Sequence, residues 1–146
     1  MTDLERAKEL LTGSANCVLV KGDITYISRK RGIAPMLDFL GAGVPLDGFS
    51  AADRIVGKAA AMLFVRAGVV SVYGEVMSRS GADFLEACGV DCSWGELAEV
   101  IINREGTGMC PMEQTVQEID DYCRAFCSLS AKRAELRRNN PGPGKK

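Results

Sequence analysis

Apolar residues recur with two periods along this chain, and the switches between them outline its elements. Leu4 to Leu11 carries them at helical spacing and closes near Gly13. Cys17 to Lys21 (Cys-Val-Leu-Val-Lys) is a short apolar run of buried-strand type. Gly22-Asp23 then turns the chain into Ile24 to Ser28, the second arm of a hairpin. Gly32 to Leu40 is a loop feeding a short helix with Pro35 in its first turn, broken by Gly41, Gly43 and Pro45. Ser50-Ala-Ala-Asp53 has the form of a capping box with Asp in place of Glu, and predicts a helix to Arg66 closed by Gly68. Ile55, Val56, the run Ala59-Ala60-Ala61 and Met62 to Val65 make that helix apolar nearly all round, so it is expected to be central and buried.

Val69 to Met77 reads as a strand, and Ser80 to Cys88 as a helix stopped by Gly89. Ser93 to Ile102 reads both ways, as a helical turn from Ser93-x-x-Glu96 and as a strand from Val100-Ile101-Ile102. From Pro111, the spacing of Met112, Val116, Ile119, Cys123 and Phe126 predicts one long helix packed on one face. The end, Asn-Asn-Pro-Gly-Pro-Gly-Lys-Lys, has the composition of a disordered tail. No internal repeat is visible. The expected architecture is α/β: three layers, α-β-α, around a mixed sheet. Residues 1–138 form one domain with a C-terminal helical extension, and residues 139–146 the tail.

Composition narrows function mainly by exclusion. Apolar residues make up 47% and charged residues 25%, and 18 basic against 19 acidic residues leave a net charge of −1. Nothing there points to nucleic acid or an anionic membrane. No apolar run reaches membrane-spanning length, and Asp3 and Glu5 stand where a signal peptide would be apolar, so a cytoplasmic location is expected. The chain has no histidine, which removes Ser-His-Asp and Cys-His catalysis and the commonest zinc ligand. Cys17, Cys88, Cys92, Cys110, Cys123 and Cys127 lack the spacing of zinc ribbons or redox pairs, so free thiols, no structural zinc and no cofactor are expected. Five of the six read as small apolar fillers.

The exception is Cys110. It precedes Pro111, which suits a first helical position, and so is the expected N-cap, at the positive end of the backbone dipole where thiolate is favoured. It is therefore expected to be the most reactive thiol. Glu113 falls three residues on, where its carboxylate reaches the exposed amides of the same helix start. Upstream, Asn103 and Arg104 lead into Gly106 and Gly108, where a guanidinium and loop amides suit an anion. The plainer reading of that segment is an ordinary turn.

Lys58 follows Gly57 inside the predicted central helix. A mid-helix glycine costs about 1 kcal/mol against alanine, so it implies a close approach by backbone or ligand. In that helix Asp53 and Gly57 share one face and Arg54 and Lys58 a neighbouring one. A desolvated lysine beside a second cation is a candidate amine nucleophile or base. The alternative is a lysine snorkelling to solvent. A P-loop reading of Gly57-Lys58 fails, since Ala52 and Ala59 fill the upstream glycine and Ser/Thr positions.

Ala-Asp53-Arg-Ile-Val-Gly57-Lys58-Ala-Ala-Ala, Asn103-Arg104-Glu-Gly-Thr-Gly and Cys110-Pro111-Met112-Glu113 resemble an uncharacterised prokaryotic domain-of-unknown-function family with a cytidine-deaminase-like fold, over residues 3 to 125. The resemblance implies a deaminase scaffold and pocket. Zinc deaminases place His-x-Glu at the start of the central helix and Pro-Cys-x-x-Cys at the next. Here the Asp53-to-Lys58 segment stands at the first motif without histidine, and Glu113 replaces a cysteine at the second. Asp53, Cys110 and Glu113 would be a poor zinc set. Three functional expectations follow. One is a site for an anionic nucleotide- or heterocycle-like small molecule, bound by Asp53, Gly57, Asn103, Arg104, Gly106, Gly108 and Glu113 and turned over through Lys58 or Cys110. Another is a non-catalytic ligand- or redox-sensing module using the same pocket. The last is a structural, homodimeric domain.

Overall fold

The computed structural model describes residues 1–102, 106 and 108–139. The tail beyond residue 139 lies outside them, as do Asn103 and Arg104. The elements are α1 (Asp3–Leu10), β1 (Cys17–Lys21), β2 (Ile24–Ser28), α2 (Ala34–Gly41), β3 (Ser50–Val56), α3 (Lys58–Ala67), β4 (Ser71–Ser78), α4 (Arg79–Ala87), β5 (Asp91–Ala98), α5 (Pro111–Val116) and α6 (Tyr122–Asn139). The five strands form one mixed sheet in the order β2-β1-β3-β4-β5. β1 runs antiparallel to both its neighbours, and β3, β4 and β5 are parallel.

The alternation of β1 divides the core. Cys17 and Leu19 face the main core, which also holds α3, while Val18 and Val20 join Ala7, Leu11, Ala15 and Ala52 in a second core under α1. Both faces are therefore covered, which explains why β1 reads as continuously apolar. On the α3 side the parallel strands depart from period two. Ala51 and Val56 in β3, Val72 and Met77 in β4, and Cys92 and Leu97 in β5 all pack on that core, each pair an odd number of residues apart. The pairing aligns Ala51 with Val72 with Cys92, and Val56 with Met77 with Leu97. The three strands thus change phase in step. Gly74 lies in this stretch because a Cβ there would sit 2.9 Å from Val56 Cγ2.

The predicted helix from Ser50 to Arg66 is corrected at its first half. Ser50–Val56 is a strand, Gly57 is the N-cap, and only Lys58–Ala67 is helical. Two buried faces give a parallel strand the same unbroken apolar run as a buried helix. The helix that remains is central as expected: Ala59 to Phe64 are all buried, and Gly68 closes it in the left-handed region. The single helix expected from Pro111 is two. The chain leaves α5 after Val116, and Asp121 starts α6 by accepting the N–H of Cys123 at 2.9 Å. No helix among the described residues is long and apolar enough to cross a membrane.

Candidate functional site

The carboxyl ends of β3 and β4 each run directly into a helix, and the two helix starts touch. Gly57 caps α3, and Ser78 caps α4 with its hydroxyl accepting the Gly81 N–H at 3.0 Å. A Cβ on Gly81 would lie 3.0 Å from the Gly57 carbonyl carbon, so the two backbones meet with no side chain between them. In open α/β sheets this rim, beyond the carboxyl ends of the strands, is where ligands bind.

Glu113, from α5, completes the start of α3. The Lys58 N–H donates to Oε1 and the Ala59 N–H to Oε2, each at 2.9 Å. These are amides that a helix start leaves unpaired, and a carboxylate suits the positive end of the helix. Glu113 is buried; burial pushes its carboxyl above the usual range, while the Ala59 and Lys58 amides and the Lys58 charge oppose that rise. The sequence placed this carboxylate on the amides of its own helix; instead it caps a different one. It also explains Gly57, since a Cβ there would fall 2.5 Å from the Glu113 carboxyl carbon.

Lys58 is the first residue of α3, and its side chain is only 14% exposed. Its amine reaches toward the far end of α5, 3.4 Å from the Gln117 carbonyl and 3.4 Å from Asp120 Oδ1. Both contacts are longer than ordinary hydrogen bonds, and Asp120 is 94% exposed, so this pair is weak. Beside it a cleft of about 210 Å³ opens between Lys58, Ser80, Glu99, Ile101, Met109 and Glu113.

Other expected site residues fall elsewhere. Asp53 lies within β3, directly opposite Cys17 of β1, and both are buried. Burial raises the Asp53 carboxyl to about 8, against the opposing effect of the Ile55 and Arg54 amides and the Cys17 thiol. Arg54 projects to the α1 side, bonding Glu75 at 2.6 Å and the carbonyls of Ala15 and Gly13. It is therefore not the second cation beside Lys58 that a continuous helix would have made it. Cys110 does cap α5, but its thiol makes no capping hydrogen bond, and that helix has six residues. The Lys58 amine points to the opposite end of α5 from Cys110. Among the described residues nothing would lie within 4 Å of a Cβ on Gly106 or Gly108, and Gly106 has a φ of 72°.

Ser80, Glu99, Ile101, Met109 and Gln117 were not singled out by sequence. Only Ser80 carried a local signal, as a polar residue at the start of a predicted helix. Among the described residues no three His, Cys, Asp or Glu side chains gather as a metal-binding group.

The thiols sort by exposure: Cys88, Cys123 and Cys127 are exposed, Cys92 and Cys110 are intermediate, and Cys17 is buried. Burial, with Asp53 beside it, pushes the Cys17 thiol well up. Cys17 is therefore expected to be the last cysteine alkylated by a maleimide under native conditions, reacting only on unfolding. Mass-spectrometric mapping checks this, and early labelling of Cys17 would contradict the buried Cys17–Asp53 pair.

The sequence matches the TM1506 family, a domain of unknown function (DUF1893), over residues 5–132. The match extends past residue 125, where the resemblance read from sequence ended, and takes in the first part of α6. No curated protein matches the chain. The crystal structure of a DUF1893 family protein from Thermotoga maritima superposes with a TM-score of 0.80 at 23% identity, covering 90% of this chain and 91% of that one. At that identity the likeness speaks for the fold. The chain belongs to the DUF1893 family.

Proposed function

We propose that this domain binds a small heterocycle-like molecule in the cleft at the joined starts of α3 and α4, with Lys58 as its anchor. The observation that carries the reading is the state of that lysine. Its side chain is largely withdrawn from water, and among the described residues its amine, with three donors, makes two contacts, both long, so it has capacity for a ligand acceptor. A mixed sheet crossed by a buried central helix supports a deaminase-like scaffold beneath the site. At about 210 Å³ the cleft is below the usual size of drug-sized sites, which favours a ligand nearer a single ring than a whole nucleotide.

Turnover through Lys58 is a further step that this reading does not require. Lys58→Ala is expected to weaken binding at least tenfold while changing stability by about 1 kcal/mol or less, because the amine's ion pair among the described residues is with the solvent-exposed Asp120. Calorimetric titration of ring-sized heterocycles against both proteins, with parallel thermal melts, checks this. Equal affinity in the two proteins would remove Lys58 from the site.

A further inference from the structure

The charge of the cleft wall defines the ligand more narrowly, if the cleft is a binding site as proposed above. The start of α3 offers unpaired amides at the positive end of a helix, and Glu113 already fills that position. Both Glu113 oxygens lie on the amides of Lys58 and Ala59, and Glu113 also lines the cleft. Each oxygen takes one of these N–H groups and has room for another. Glu99 adds a second carboxylate, paired with Arg79 through a contact at 3.1 Å between exposed side chains. Lys58 is paired with Asp120. Among the described residues that line the cleft, Lys58 is thus set against Glu99 and Glu113, which leaves one net negative charge.

We propose that the cleft takes an uncharged or cationic heterocycle, with N–H donors directed at Glu113 beside a carbonyl or ring-nitrogen acceptor directed at Lys58, and that it rejects phosphate- and carboxylate-bearing ligands. Glu113 is the built-in anion of the site. A second anion would meet it at close range in a partly desolvated cleft, where like charges repel far more than in water. The donor–acceptor edge of a cyclic amide matches both the Glu113 and the Lys58 groups, while a cationic amidinium offers its donors to Glu113 alone.

The test is a titration of the ¹⁵N-labelled protein with four probes. Isocytosine is neutral with a donor–acceptor edge, benzamidine is cationic, benzoate is its anionic counterpart of the same shape, and inorganic phosphate is the simplest anion. Isocytosine and benzamidine are expected to shift the amides of Lys58, Ala59, Ser80 and Gln117. Benzoate and phosphate should bind there at least tenfold more weakly. Glu113→Gln, which removes the charge and keeps the shape, should reduce the preference for benzamidine over benzoate at least tenfold. Tighter binding of benzoate or phosphate to the unaltered protein would overturn the charge assignment and leave the cleft as a ligand site. If no probe shifts those amides, the ligand-binding reading itself fails, and the charge assignment with it. Should Glu113→Gln not fold, the benzamidine–benzoate comparison in the unaltered protein decides alone.

Discussion

Gly57→Ala is expected to cost about 3 kcal/mol of stability and to lower the melting temperature by roughly 6–12 °C. The backbone is not the reason, since Gly57 has φ −97° and ψ −172°, which alanine adopts freely. Alanine in place of glycine at an N-cap costs about 1 kcal/mol or less by itself. The larger loss comes from Glu113. The new Cβ would lie 2.5 to 2.6 Å from all three carboxylate atoms, so the carboxylate must leave. Its departure frees the Lys58 and Ala59 amides at the start of the most buried helix and undocks α5 from α3. A hydrogen bond to a charged group contributes about 1.5–3 kcal/mol, so losing two outweighs the cap preference. Denaturant melts of the single variants and of the double variant test the cause. In a Glu113→Ala background, Gly57→Ala should cost about 1 kcal/mol or less. An equal loss in both backgrounds would mean that Gly57 is required for a reason other than Glu113.

That same pair shows which parts of the molecule local sequence could reveal. The hairpin of β1 and β2 was legible to the residue, because a turn-forming Gly22-Asp23 separates two apolar runs and the contacts are local. The Ser50–Val56 segment was not. Ser50-x-x-Asp53 imitates a capping box, and a strand covered on both faces loses the alternation that identifies strands. The decisive residue was Gly57. Read as a helix interior it demanded an explanation; read as a boundary it marks where β3 ends and α3 begins. The reason for the glycine was beyond local reading, since its partner is Glu113, which comes to it from α5 only in the folded chain. Lys58 and Glu113 each stood out in the sequence, but their contact did not. Asp53 and Arg54 were drawn toward the same place because a continuous helix would have set Asp53 over Gly57 and Arg54 over Lys58, and because the resemblance put the Asp53-to-Lys58 segment at the first deaminase motif. In a strand they alternate, Asp53 opposite Cys17 and Arg54 against Glu75.

Asp53→Asn is expected to remove most of the decline in stability that the unaltered protein shows as pH rises toward 8. In the folded chain the Asp53 carboxyl is raised to about 8, from 3.8 when unperturbed. The folded state therefore holds a proton that the unfolded state has released, over the window between those values. Stability falls wherever the folded state binds more protons, so it declines as pH rises from about 4 to about 8. Each unit of difference is worth about 1.4 kcal/mol. Glu113, raised by burial, acts in the same direction. Asp38 acts oppositely: Lys30 and Arg133 hold its carboxyl below the usual range, so its contribution is lost as pH falls through that lowered value. The protein is thus expected to be more stable in mild acid than at neutral pH. Asparagine keeps the carbonyl acceptor that faces the Arg54 and Ile55 amides, and it carries no proton to lose. Asp53→Asn should therefore flatten the decline between pH 5 and 8 and be about 2–4 kcal/mol more stable than the unaltered protein at pH 8.5. At pH 5 the two should differ by about 1 kcal/mol or less. Urea melts at half-unit intervals from pH 4.5 to 9 measure both curves. Parallel curves would show that Asp53 is ionised in the folded chain and that its place opposite Cys17 is compensated by a partner other than its own proton.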